Sequence, residues 1–290
     1  MKSLIVTADD FGAAREVNDA IEAAHTQGVL TAASLMVSAP AAADAIARAR
    51  RMPSLRVGLH VVLVDGRPVL PPSAVPHLVD REGRFRSNPA VAGIILAASR
   101  RARRQLAAEI TAQFAAFRDS GLSLDHCNSH QHFHLHPVVG GLLAQIGLRF
   151  GLRAVRVPLE PVDVLRKVEP RAPQLSAPLT MPFALALRRR LRARGMVGAD
   201  RVFGLRWSGQ MTRGRLIGLI RNLPAGLSEI YVHPATGPYA GSAPGYRYRE
   251  EFEALIAPEL AAACQGSALR LGGFSDFVGE RASSAADEFV

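Results

Sequence analysis

The sequence predicts an α/β fold, a parallel sheet or closed barrel of about seven strands, as a single domain over residues 1–290. Two observations carry the α/β reading. Short apolar runs alternate with apolar residues at helical spacing along most of the chain, the rhythm of strands joined by crossover helices. The chemically distinctive residues also fall where those runs end, and the carboxyl ends of parallel strands converge on one face.

Taken in order, Leu4, Ile5 and Val6 form the first apolar run, and Val17, Ile21 and Ala24 recur at helical spacing before Gly28. LTAASLMVS reads as a strand, AAADAIARARR as a helix, and LRVGLHVVLV as a third strand ending near Asp65. The proline-rich stretch from Arg67 to Pro89 is an excursion, because proline removes ladder donors. Ile94 to Phe117 reads as a helix, Leu122 and Leu124 start a strand that runs into a histidine cluster, and Val138 to Phe150 reads as the next helix. LRAVRVP is a further strand. Between residues 159 and 228 the pattern is weakest: PLTMPFALALRRRLRARG and MTRGRLIGLIRNLP suggest helices. SEIYVHPAT and LRLGGFSDF supply the last strands.

Composition excludes several classes. The 290 residues are 48% hydrophobic and 21% charged, with no run of 18 uncharged apolar residues to span a bilayer. Acidic residues by position 9 interrupt the apolar core of a secretory signal, so the expected location is the cytoplasm, with peripheral contact at the inner membrane face. Cys127 and Cys264 provide no disulfide framework and are expected as free thiols. The net charge of +10 comes from arginine, concentrated at 100–104 and 188–194. Such charge draws a protein toward anionic surfaces, but no recognition motif accompanies it, so nucleic acid is not an expected partner. Nothing in the pattern specifies an oligomeric state.

The chemistry gathers at four strand ends: Asp9 and Asp10 after LIVTA, His60 within VGLHVVL, the run DHCNSHQHFHLHP at 125–137, and His233 in IYVHPA. Each has an ordinary explanation. An Asp pair caps a helix, a strand histidine packs in a core, and a histidine run binds metal adventitiously. On an extended segment Asp9 and Asp10 would point to opposite sides, one toward a metal and one toward a water. Alternate residues of the histidine run would share a side. Imidazole with carboxylate suits a divalent ion of zinc type, with positions left open for water and substrate. Spacing does not choose among the five histidines; those that bind no metal are left to orient a ligand, contact substrate or pack.

TADDFG, GLH at 58–60, NSHQHFH at 128–134 and VHPA at 232–235, in this order, resemble the YdjC-like carbohydrate deacetylases. The resemblance runs from residue 2 to about residue 276. GLHVVLVDGRPVLPP, HFHLHP and LRAVRVPLEP look like the hopanoid biosynthesis-associated branch of that family. The resemblance implies a distorted (β/α) barrel, polysaccharide-deacetylase-like in architecture, forming a single catalytic deacetylase domain, and a metal-dependent N-deacetylase acting on an N-acetylglucosaminyl group. Its substrate would be a hopanoid lipid, or alternatively a soluble sugar such as a chitooligosaccharide. It implies one divalent ion, zinc or magnesium, held by Asp10, His60 and His130, with Asp9 as general base and His233 as general acid. His126, His132, His134 and His136 are left without assigned roles. One departure is Gln131, where relatives often carry histidine. For a lipid-linked substrate, residues 180–196 combine apolar and basic side chains as a helix at an anionic membrane surface does. The ordinary alternative is a helix with a solvated arginine face.

Overall fold

The structure is a computed structural model that describes residues 1–170, 177–267 and 269–279, except for the side chains of 177–179. Its centre is an all-parallel sheet of seven strands: β1 (Lys2–Phe11), β2 (Ala32–Leu35), β3 (Arg56–Val61), β4 (Cys127–Ser129), β5 (Arg201–Phe203), β6 (Gly226–Val232) and β7 (Arg270–Leu271). The strand order is β4-β3-β2-β1-β6-β5, and β7 pairs with Ser3 and Leu4 of β1. Residues 153–159 span the gap between the outer strands β4 and β5. Cys127 N–H donates to Ala154 O at 3.0 Å, and Val202 N–H donates to Leu159 O at 2.9 Å. These bonds curl the sheet into a half-barrel that closes through single contacts, the distorted barrel expected above.

The strands are nearly continuous apolar runs because both faces are covered. Leu4, Val6, Ala8, Leu35, Leu59 and Val61 lie in the main core, while Ile5, Val202, Phe274 and Phe277 pack in a second cluster. The helices cover the sheet by their apolar stripes. α1 (Arg15–Gln27) buries Val17, Ile21 and Ala24 and stops at Gly28, where a Cβ would stand 2.3 Å from Leu255 O. α2 (Ala42–Arg51) and α5 (Pro137–Arg149) match their sequence patterns, α5 opening on a proline whose missing N–H costs the first turn nothing.

Several boundaries differ from the pattern. The single helix expected over 94–117 is two, α3 (Pro89–Ala98) and α4 (Arg100–Asp119), because Ser99 turns extended and its Oγ accepts from Ala102 N–H at 3.1 Å. The strand expected from Leu122 begins only at Cys127, and LRAVRVP contributes isolated bridges rather than a full strand. The uncertain middle holds α6 (Val162–Val168), α7 (Ala177–Arg192), β5 and α8 (Arg213–Asn222). α9 (Tyr248–Leu255) and α10 (Pro258–Gly266) follow β6. Among the described residues, no helix is long and apolar enough to cross a membrane.

Candidate metal centre and active site

β1 places the two aspartates by an irregularity rather than by plain alternation. Its register against β2 shifts between Ala8 and Phe11, and Asp10 has φ of 62°, a left-handed conformation that favours glycine and that Asp tolerates better than most side chains. The expected division to opposite sides is therefore replaced: both carboxylates turn toward His60. Asp10 Oδ1 lies 3.3 Å from His60 Nε2 and 3.1 Å from His130 Nδ1. Asp9 Oδ1 lies 3.9 Å from His60 Nδ1. Asp10, His60 and His130 each offer one ligand atom, all within 4.8 Å of one another.

The histidine run is not one extended ladder. It is strand only to Ser129, after which 130–135 form a 3-10 turn with Gln131 and His132 both at φ 52°. This turn separates the imidazoles that alternation would have aligned. His130 meets Asp10, whereas His132 Nε2 meets the Tyr231 hydroxyl at 3.0 Å. His134 is held by Ser129 Oγ at 2.8 Å and Arg156 O at 3.0 Å, and His136 caps α5 beside Gly93. His126 points into the barrel, its ring so close to Gly58 that a Cβ there would stand 2.5 Å from it.

A fixed chain of hydrogen bonds tests whether the three residues fit a cation. His126 Nδ1–H donates to the Asp125 carboxylate at 2.8 Å, so its Nε2 accepts from the Ser34 hydroxyl at 3.1 Å. Asn128 Nδ2 donates to Ser34 Oγ at 3.0 Å and to Asp9 Oδ1 at 3.1 Å. Both amide hydrogens being directed there, Asn128 Oδ1 faces His60 and accepts from Nδ1–H at 2.6 Å. The neutral His60 ring then carries its lone pair on Nε2, aimed at the Asp10 carboxylate. Two acceptors facing each other at 3.3 Å are relieved by a positive ion between them. The donor set of two imidazoles and one carboxylate suits zinc by ligand type.

Beneath this centre lies Arg156, fully buried. Its Nη1 and Nη2 donate to both oxygens of Asp9 at 2.5 and 3.1 Å, and its Nε and Nη2 donate to Glu229 Oε1 at 3.0 and 2.7 Å. The guanidinium also stands 4.5 Å over the Tyr231 ring. Burial opposes the charge of Asp9, but the field of the paired Arg156 prevails and holds its carboxyl well below the ordinary range. Asp10 behaves alike: burial is overcome chiefly by His130. Burial also opposes an imidazolium at His130, yet the Asp10 carboxylate raises its pKa above the ordinary value. His132 is pushed far down, first by burial and then by Arg156.

His233 lies within electrostatic reach of Asp9. Its ring packs edge-on against Tyr231 and Tyr246, with centroids 5.7 and 5.2 Å away, and its Nδ1 is buried without a hydrogen-bond partner. Glu251 of α9 accepts its backbone N–H at 2.5 Å. Tyr239, Tyr246 and Tyr248 extend the aromatic wall, all with phenols raised by burial first and by the Asp10 charge among lesser causes. Arg156, Asn128, Ser34 and Tyr231 were not singled out in the sequence. Asn128 lay in plain sight between two histidines, but nothing about an asparagine on a short strand distinguishes it before its partners are known.

The family model for YdjC-like proteins matches residues 3–266. A carbohydrate deacetylase of Brevibacillus brevis is 43% identical over 136 residues, covering 47% of this chain and 52% of that one. The carbohydrate deacetylase of Geobacillus stearothermophilus is 39% identical over 56% of this chain and 60% of its own. The match thus spans little more than half the length of these two relatives. The mouse carbohydrate deacetylase is 32% identical over 96% of both chains. Among solved structures, an Enterococcus faecalis protein described for cellobiose-phosphate cleavage superposes with a TM-score of 0.76 at 24% identity, covering 95% of this chain and 98% of that one; that likeness concerns the fold.

Proposed function

This chain belongs to the YdjC-like protein family, and we propose that it is a metal-dependent N-deacetylase removing acetyl from an N-acetylglucosaminyl group, on a hopanoid lipid. The observation that carries the chemistry is the convergence of Asp10, His60 and His130 beside Asp9, with His233 within electrostatic reach of Asp9. The relatives named carbohydrate deacetylases support an N-acetylated sugar as the substrate class. The hopanoid assignment rests on the likeness of the segments quoted above to that branch.

Asp10, His60 Nε2 and His130 Nδ1 would hold the ion, zinc by ligand type or magnesium. When bound, it supplies Lewis acidity and makes water more acidic. Hydrolysis adds water to the acetyl carbon and breaks the C–N bond, releasing acetate and a free amine. Asp9 takes the water proton. Its pairing with Arg156 keeps it ionised before the reaction, so it orients the attacking water through a hydrogen bond and then accepts its proton. His233 delivers a proton to the departing sugar nitrogen. Tyr239 and Tyr246 give the pyranose an apolar face to lie against.

For a lipid-linked sugar, α7 approaches an anionic bilayer. Met181 and Phe183 are 48% and 47% exposed on the helix that also exposes Arg189 and Arg192, the composition of an interfacial helix. Flotation with liposomes should then depend on anionic lipid; binding indifferent to it removes the membrane role.

The central test is acetate release from an N-acetylglucosaminyl hopanoid and from diacetylchitobiose, before chelation, after it, and after return of zinc or magnesium. Release from the hopanoid that stops on chelation and recovers with metal supports the reading. Preference for diacetylchitobiose moves the substrate to soluble sugars, and turnover indifferent to chelation rejects metal dependence.

A further inference from the structure

A cavity of about 370 Å³ opens beside the site, between the loop after residue 157, the segment after β5 and the start of α7. That volume lies in the range of small-molecule sites. Its apolar lining comes from Pro158, Leu159, Pro161, Val162, Met181 and Leu205. A packed contact next to the cavity links it to the site. Gly204, adjacent to Leu205, packs so closely on Tyr231 that a Cβ would stand 2.6 Å from Tyr231 O and 3.0 Å from its ring. Tyr231 in turn touches His132 and His233.

Much of the polar lining of the cavity is already committed, although Arg206 Nε is buried without a hydrogen-bond partner among the described residues. Glu160 Oε1 accepts from Gly204 and Leu205 N–H at 2.9 and 3.0 Å, and Oε2 accepts from the Arg206 N–H and Nη1 at 3.1 and 3.0 Å. Arg201 Nη1 donates to Ala225 O at 2.9 Å. No aromatic ring is among the lining residues. A pyranose needs hydrogen-bonding partners for its hydroxyls or a ring to lie on, and this cavity offers it little of either. An alkyl or polycyclic group needs only apolar walls, and burial of each methylene is favourable by about 0.8 kcal/mol. At the lip, exposed Met181 continues the apolar surface outward and Arg188 places a cation at the rim, which suits a molecule apolar at one end and polar elsewhere.

We infer that this cavity is the subsite for an apolar aglycone, receiving the non-sugar part of an amphiphilic substrate whose acetamido group lies at the metal centre. The inference rests on the N-deacetylase reading and adds to it the place where the apolar part is bound. Leu205 and Val162 form the wall, and Met181 the entrance.

The test compares octyl and methyl glycosides of N-acetylglucosamine, below the micelle concentration of the octyl compound, with the full-length metal-loaded enzyme. The wild type is expected to favour the octyl glycoside in kcat/KM by at least about tenfold, the effect of burying two methylenes. Val162→Trp, which fills the cavity, and Met181→Asp, which charges its entrance, should each bring that ratio to about one. Calorimetric binding of the octyl glycoside reads the same subsite without turnover. Equal kcat/KM values for the two glycosides in the wild type, or an octyl preference that survives both substitutions, overturn the inference. Absence of acetate release from both glycosides, with octyl binding still sensitive to Val162→Trp, would sink the deacetylase reading while the apolar subsite stands.

Discussion

Asn128 Oδ1 accepts a hydrogen bond from His60 Nδ1–H at 2.6 Å, and that bond decides which imidazole nitrogen faces Asp10. The amide cannot flip without placing its NH₂ against the Nδ1–H and losing its donations to Asp9 and Ser34. Removing such a partner from a metal-ligating histidine costs about 10- to 100-fold in metal affinity. Asn128→Ala should therefore weaken zinc binding by that factor, measured by competition with a chromogenic chelator, while secondary structure by circular dichroism stays native. An affinity within twofold of wild type would show that His60 keeps its orientation without Asn128.

Ligand and base roles separate by substitution. His130→Ala removes one of three donors, so metal content after dialysis should fall to a small fraction of wild type. Asp9→Asn leaves all three donors in place and removes the proton acceptor, so metal should be retained while kcat falls by about 10²- to 10⁴-fold. Full metal content in His130→Ala would reject the ligand set, and near-native turnover in Asp9→Asn would reject the base.

Arg156 binds Asp9 and Glu229 where none of the three is more than slightly exposed. Breaking a buried pair leaves uncompensated charge and costs about 3–5 kcal/mol. Arg156→Met should destabilise the protein by that amount in urea unfolding. Arg156→Lys should recover only part of it, since an ammonium cannot reproduce the fork that engages both carboxylates. Equal stability of Arg156→Lys and wild type would show that charge alone suffices.

The sheet was legible in the sequence because its strands are buried and mostly apolar: Leu4 to Val6 stands out on hydrophobicity alone, while Val57 to Val61 and Ile230 to Val232 are short apolar stretches interrupted or flanked by His60 and Glu229. Asp10, His60 and His130 were legible as chemistry at strand ends, although the choice of His60 and His130 among nine histidines, and of Asp10 over Asp9, came from resemblance. The break at Ser99 was missed because apolar spacing continues across it, while the serine cap that divides the helices is a local side-chain bond. The fate of His132 and His134 was hidden for a different reason. Two consecutive left-handed residues, Gln131 and His132, redirect the run, and neither is a glycine that would have signalled a turn. Arg156 looked like one more arginine in an arginine-rich chain until its three partners surrounded it.

His134 gives a pH dependence whose sign follows from burial. Its Nε2–H donates to Arg156 O and its Nδ1 accepts from Ser129, so the ring is neutral; burial first and the Arg156 charge next pull its pKa down to about 3. In the unfolded chain a histidine titrates near about 6.5. Above that pH neither state carries the proton and the full contribution to stability is present. As pH falls from about 6.5 toward 3, the unfolded chain binds a proton that the folded ring refuses, so stability declines by up to about 1.4 kcal/mol per pH unit from this group. His134→Gln, which keeps a donor toward Arg156 O, should show a shallower loss of urea stability between pH 7 and pH 5 than wild type. Both proteins are to be measured with metal removed, so that ligand protonation does not enter through ion release. Identical slopes would mean that His134 exchanges its proton freely in the folded state, against the burial seen here.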